Sequence, residues 1–186
     1  TPDNFTNPND VGFDHFYGYV NMWHAHNFYP EFLIRNGKVE QLKNVAADKW
    51  REYQDPTLPQ GGRGVAETKV QYAPDLFIED ALRFIRENRQ GPFFLYFAMN
   101  VPHANNEAGK AGMEVPDLGG FADKDWPEPE KGFAAMIRNI DRDCGRIVDL
   151  LEELKIDEQT LVLFTSDNGP HAEGGPGALK GTAPTV

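Results

Sequence analysis

Thr160-Leu-Val-Leu-Phe-Thr165 is an apolar, β-branched run that breaks off at Ser166-Asp167-Asn168-Gly169-Pro170-His171. A short continuous apolar run bounded by turn residues reads as a strand buried on both faces, the pattern of a parallel sheet. The carboxyl edge of such a sheet is where open α/β folds place their chemistry. Asp167 offers a hard carboxylate and Asn168 a neutral amide oxygen, while Gly169 and Pro170 turn the backbone so that both side chains can face one point. Oxygen donors of this kind suit calcium or magnesium. Asp-Asn-Gly is also an ordinary turn after a strand, so a second constellation is needed to decide between the two.

That constellation lies upstream, where Phe93-Phe-Leu-Tyr-Phe-Ala-Met99 ends in Asn100-Val101-Pro102-His103. A helix precedes each run. From Pro74 to Asn88 the residues Phe77, Ala81, Phe84 or Ile85, and Asn88 share one side, Pro74 suits the first turn, and Gly91-Pro92 ends the element. From Phe133 to Leu154 the 3,4 spacing of Met136, Ile137, Ile140, Cys144, Ile147, Val148 and Leu151 marks a second amphipathic helix. Cys144, the only cysteine, falls on its buried face and behaves as a small hydrophobe; no internal disulfide can form. Strand, long crossover, helix and strand in this order predict a three-layer α/β sheet with parallel strands.

Two regions are less regular. Ala104 to Lys131 is rich in Gly, Pro, Asp and Glu, with prolines at 116, 127 and 129, and loops of this length are either functional or mobile. In the N-terminal third, Phe32–Arg35 and Lys38–Leu42 flank Asn36-Gly37, a strong signal for a two-residue hairpin. Before it stands Trp23-His24-Ala-His26-Asn-Phe-Tyr29. On a strand the two imidazoles would share a face and could pair on a transition metal. No third ligand is near, and packing beside a cleft, with His24 or His26 as a substrate contact, is the preferred expectation.

The chain has 186 residues, 40% of them hydrophobic, and a net charge of −11 with a pI near 4.8. That length supports one ordinary core. The acidity argues against nucleic acid as partner, because phosphate binding needs clustered Lys and Arg. An anionic substrate would have to be drawn in by a local positive site such as a metal ion. No run of 18 apolar residues is present, so no membrane-spanning helix is expected.

Taken together, these segments resemble the sulfatase family, whose members share an alkaline-phosphatase-like α/β fold and hydrolyse sulfate esters. Gly12-Phe-Asp-His-Phe-Tyr-Gly18 is similar to the family's Gly-Phe-Asp-x-Phe-x-Gly segment, and Pro102-His103 to its strand-end histidine turn. Asn139-Ile-Asp-Arg-Asp-Cys-Gly-Arg-Ile-Val148 is similar to the helix before the metal strand, and Phe164-Thr-Ser-Asp-Asn-Gly169 to the metal strand itself. The resemblance implies Asp167 and Asn168 as metal ligands, usually for Ca2+ with Mg2+ as the other candidate. It implies His103 as a catalytic group at the sulfate and Lys180 as a sulfate-binding lysine, with His171 reaching the same cleft. A periplasmic or secreted location is the family prior.

The sequence also departs from the family pattern. Neither Cys-x-Pro-x-Arg nor Ser-x-Pro-x-Arg, whose first residue becomes the formylglycine nucleophile, occurs in it. The paired aspartates and the Gly-Lys-Trp-x-x-Gly segment of the family's N-terminal part are absent as well. After Lys180 the sequence Thr182-Ala-Pro-Thr-Val186 leaves the expected continuation. Residues 1–186 are therefore expected to be a partial catalytic domain of an alkaline-phosphatase-like α/β/α sandwich, incomplete at its N-terminus and inactive alone, with formylglycine in missing sequence. Its substrate would be a sulfated small molecule or glycan. A phosphodiesterase or phosphonate hydrolase of the same superfamily, or a non-catalytic relative that binds sulfated glycans, are the other readings. A sheet without its N-terminal strands would expose an apolar face, which a second copy in a homo-oligomer could cover.

Overall fold

The computed structural model describes residues 7–168. Strand β1 (Tyr17–Gly18) is followed by a single helical turn, α1 (Met22–Ala25), and then by β2 (Phe32–Arg35) and β3 (Lys38–Gln41). These strands form an antiparallel sheet in the order β1-β2-β3, with Phe32 opposite Gln41 and Arg35 opposite both Lys38 and Tyr17. The β2–β3 turn is the expected one: Asn36 (φ 47°) and Gly37 (φ 74°) both take the left-handed conformation that a two-residue hairpin requires. Leu33 is completely buried. A second, two-stranded antiparallel sheet pairs β4 (Val45–Ala46) with β5 (Ala66–Thr68).

Helices α2 (Ala73–Asn88) and α3 (Glu128–Glu153) lie where the periodicity places them. Pro74 occupies the first turn of α2, and Phe77, Ala81 and Ile85 are buried, so Ile85 rather than Phe84 is the core residue of that turn. Three ion pairs join the helices: Arg142 to Asp75 at 2.9 Å, Arg146 to Glu79 at 2.6 Å and Arg86 to Glu153 at 2.9 Å. Each pair is separated by 67 residues, which is possible only if the two helices run in the same direction. Parallel helices are what a pair of crossovers into one parallel sheet produces.

The two apolar runs follow these helices, and Thr160 follows Phe93 at the same interval as the ion pairs. Phe93 and Leu95 pack with Ile85, Leu150 and Leu151, Phe97 with Leu33 and Phe77, and Met99 with Met136 and Ile140. Their neighbours Phe94 and Tyr96 point the other way and are more than 70% exposed. This period of two is that of an extended strand with helices on one face. The expected ladders are not formed among the described residues, and Leu161–Phe164 are exposed as well. The buried, paired strands expected of these runs are not seen among the described residues, for a physical reason: a strand is completed by hydrogen-bonding neighbours and a second apolar layer, and the described residues supply neither. The segment between Met99 and α3 contains only three-residue-per-turn helical turns at Asn106–Ala111 and Gly119–Phe121, as its prolines and glycines predict.

Candidate active site

His103 sits just beyond the Phe93–Met99 run, after a cis Val101–Pro102 bond. Its Nδ1 is 2.7 Å from the carbonyl oxygen of Ala104. A carbonyl only accepts, so Nδ1 carries the hydrogen and Nε2 remains for another partner. The residue is exposed. Asn100, three residues earlier, donates through Nδ2 to the Ala25 carbonyl at 2.7 Å, tying the strand end to α1.

The loop after His103 is pinned by buried polar groups. Asn105, with no exposed surface, donates to the Gly64 carbonyl at 2.9 Å and to Glu114 at 2.7 Å, while its side-chain oxygen accepts from the backbone of Glu107. Glu114 is in turn paired with Lys69 at 2.6 Å. Charges this deep are tolerated because each has a partner. Glu107 pairs with His26 Nδ1 at 3.2 Å and with Arg63 at 3.4 Å, and the His26 ring stacks on the His103 ring, centroids 5.2 Å apart and planes 9° apart.

The two histidines of Trp23–Tyr29 separate. Because α1 is one helical turn, His24 and His26 do not share a face as they would on a strand. His26 forms the helix C-cap and turns to the His103 loop, whereas His24 is completely buried. Its Nε2 donates to the Phe32 carbonyl at 2.9 Å, and its ring meets those of Tyr19 and Phe32. Gly62, at φ 81°, lies against that ring, and a Cβ there would run into it. Burial lowers the His24 pKa to about 4, so the imidazole is neutral. The expectation of His24 as a substrate contact is corrected: it is a core histidine.

Asp167 and Asn168 are exposed at the end of the Thr160–Thr165 run, and Asn168 Nδ2 donates to Asp167 at 2.9 Å. Their oxygens are the right kind of donor for a hard cation, but they are two where calcium takes six to eight. Among the described residues no group of three or more His, Cys, Asp or Glu side chains could hold a metal ion. No hydrogen bond or ion pair joins this pair to His103. His171 and Lys180 lie outside the described residues. Cys144 is partly buried against Met136 and Ile140, and burial, reinforced by Asp143 and Asp141, raises its thiol pKa. That is the opposite of an activated nucleophile.

Glu107, Arg63 and Asn105 were not singled out by their sequence context. Gly61-Gly62-Arg63-Gly64 is the one local signal, a run of glycines that marks close backbone packing around a single charged side chain.

A family model described as Sulfatase matches residues 2–185. N-acetylgalactosamine-6-sulfatase from Canis lupus familiaris is 35% identical over 96 residues, covering 50% of this chain and 16% of that protein. The Homo sapiens enzyme of the same name is 36% identical over 95 residues, with the same coverage of each. Arylsulfatase A from Homo sapiens is 32% identical over 119 residues, covering 64% of this chain and 19% of its own. The chain thus matches less than a fifth of the length of these relatives. Among solved structures, Ps i-CgsB in complex with k-i-k-neocarrahexaose superposes with a TM-score of 0.59 at 23% identity, over 91% of this chain and 36% of that one. The fold is shared with that protein, and the chain belongs to the sulfatase family.

Proposed function

We propose that this chain is part of the catalytic domain of a sulfate ester hydrolase. In this reading the Phe93–Met99 and Thr160–Thr165 runs are parallel strands of a three-layer α/β/α sandwich, which bring His103, Asp167 and Asn168 to one sheet edge. The observation that carries it is the common 67-residue interval. It aligns α2 with α3 through three ion pairs and also separates Phe93 from Thr160, which supports two strands that enter one sheet in the same direction with their polar ends on the same side.

Asp167 and Asn168 would hold a divalent cation, calcium or magnesium, with further oxygen ligands from elsewhere in the polypeptide. When bound, such an ion neutralises charge on a sulfate oxygen. His103 faces the sulfate through Nε2, where it donates to a nonbridging oxygen or protonates the leaving alcohol. Lys180 would add a positive charge to the sulfate site, and His171 would reach the same cleft. The neutral amide of Asn168 favours a single-metal centre over the two-metal centre of a phosphodiesterase. The nucleophile, a formylglycine, stands outside this chain. The substrate class is a sulfated glycan or small molecule; the names of the galactosamine sulfatases and the oligosaccharide named with the structural neighbour support the glycan.

The test uses the intact natural polypeptide, assayed on an aryl sulfate and on sulfated oligosaccharides before and after chelation. Release of sulfate is expected, abolished by chelator and lowered at least about 100-fold by Asp167→Ala. Hydrolysis of phosphodiesters without release of sulfate would replace this reading, and tight glycan binding without turnover would make the protein a binding module.

A further inference from the structure

His103 is the exposed end of a row of contacts that runs through the buried carboxylate of Glu107 to a partly buried arginine, Arg63. Arg63 is enclosed by aromatic rings, its guanidinium 4.5 Å from the centre of Trp23 and 5.1 Å from those of Trp50 and Tyr53. Among the described residues the cation in that cage has one charged partner, Glu107, whose side chain is only 3% exposed. The second carboxylate oxygen of Glu107 holds His26 Nδ1, and the flat face of His26 lies on the flat face of His103. Arg63 and Glu107 are 44 positions apart in sequence and Glu107 and His26 are 81 apart, so the row is a product of the fold.

We propose that His26 is a positioning residue for His103. Glu107, itself fixed by Arg63 and Asn105, pins the His26 ring, and that ring is the plate on which the His103 imidazole is held. An exposed histidine with one bond to a neighbouring carbonyl can still rotate about its side-chain torsions. A parallel ring at stacking distance removes that freedom and directs Nε2 to one place. The inference rests on the reading of His103 as the group that meets the sulfate, since orienting it matters only if Nε2 has a partner. A misplacement of about 1 Å at a reacting group costs on the order of 100-fold in rate.

The experiment is imidazole 15N spectroscopy of the histidine-labelled intact natural polypeptide, paired with steady-state kinetics on an aryl sulfate. In the parent protein His103 should show one tautomer, hydrogen on Nδ1. His26→Ala should shift His103 toward the averaged signals of two tautomers and lower kcat about 10-fold, with KM changed by less than about 2-fold. His26→Phe, which restores a flat face without the bond to Glu107, should recover the single tautomer in part. Glu107→Gln, which loosens His26 and leaves it in place, should give a smaller shift of the same sign and serves if His26→Ala does not fold. Unchanged His103 signals in folded His26→Ala, or in Glu107→Gln where that variant serves, overturn the proposal. The spectroscopic readout needs no turnover: if His103→Ala retains full activity while His26→Ala still changes the tautomer, the sulfate reading of His103 fails and the positioning contact stands.

Discussion

His24 shows how one turn of helix decides the work of a residue. Neutral and buried in the native state, it takes up a proton near its ordinary pKa once the chain unfolds. Between about pH 6.5 and pH 4 the unfolded state therefore binds more protons, and stability falls as pH falls through that window. The loss on going from pH 7.5 to pH 5 should be about 2 kcal/mol from this residue alone. Urea unfolding of the intact polypeptide at the two pH values checks it, with His24→Gln expected to be less stable at pH 7.5 and to lose less on acidification. In the sequence, His24 and His26 stand two apart and look equivalent. They diverge because the Asn21 side chain caps the backbone N–H of His24 at 2.7 Å and starts a helical turn. Glu107 carried no such local mark, and the glycines around Arg63 mark close packing without naming its partner, since the meaning of both residues depends on a pairing across the fold.

Elements were legible where the signal is local. The Asn36-Gly37 hairpin follows from two residues that accept positive φ, and α2 and α3 follow from the spacing of their apolar residues. Pairing between the extended runs was not legible in the same way, because a ladder depends on which other strands are present. For α2 the decisive side chain is Ile85, packed against Leu150 and Leu151 of α3 and reached by Phe93 and Leu95. Ile85→Ala should cost about 2–5 kcal/mol, read as a lower urea midpoint with an unchanged slope. The same truncation at half-exposed Ile137 should cost much less. Each helix ion pair is at least one-third exposed on both partners. These pairs report the direction of the helices more than they stabilise them.

At the scale of the whole molecule, the helices cover one face of the Phe93–Met99 run and leave Phe94 and Tyr96 exposed, and Leu161–Phe164 are exposed as well. Large apolar side chains exposed in such number mark an interface; in the proposed reading it is the face that the rest of the domain would cover. Residues 1–186 produced alone should bind the dye ANS and sediment as more than a monomer. Phe94→Lys combined with Tyr96→Lys should reduce both, without lowering the helix content read by circular dichroism. In the intact polypeptide the dye should find no such surface. A monomeric 186-residue chain that ignores ANS would show that the bare face closes on itself.

The equal spacing of α2 and α3 also bears on how such a protein can change over time. The extended run ends at Asn100, and the chain returns through α3, which is aligned with α2 by the three ion pairs. Arg138 anchors the far part of that excursion by donating to the carbonyls of Asp117 and Leu118. The excursion has the layout of a cassette: residues gained or lost beyond the Arg138 anchor, between Leu118 and Pro127, leave the ion pairs that align α2 with α3 in place. In the proposed reading, the cleft could then be reshaped in one short stretch of the gene without moving His103, Asp167 or Asn168.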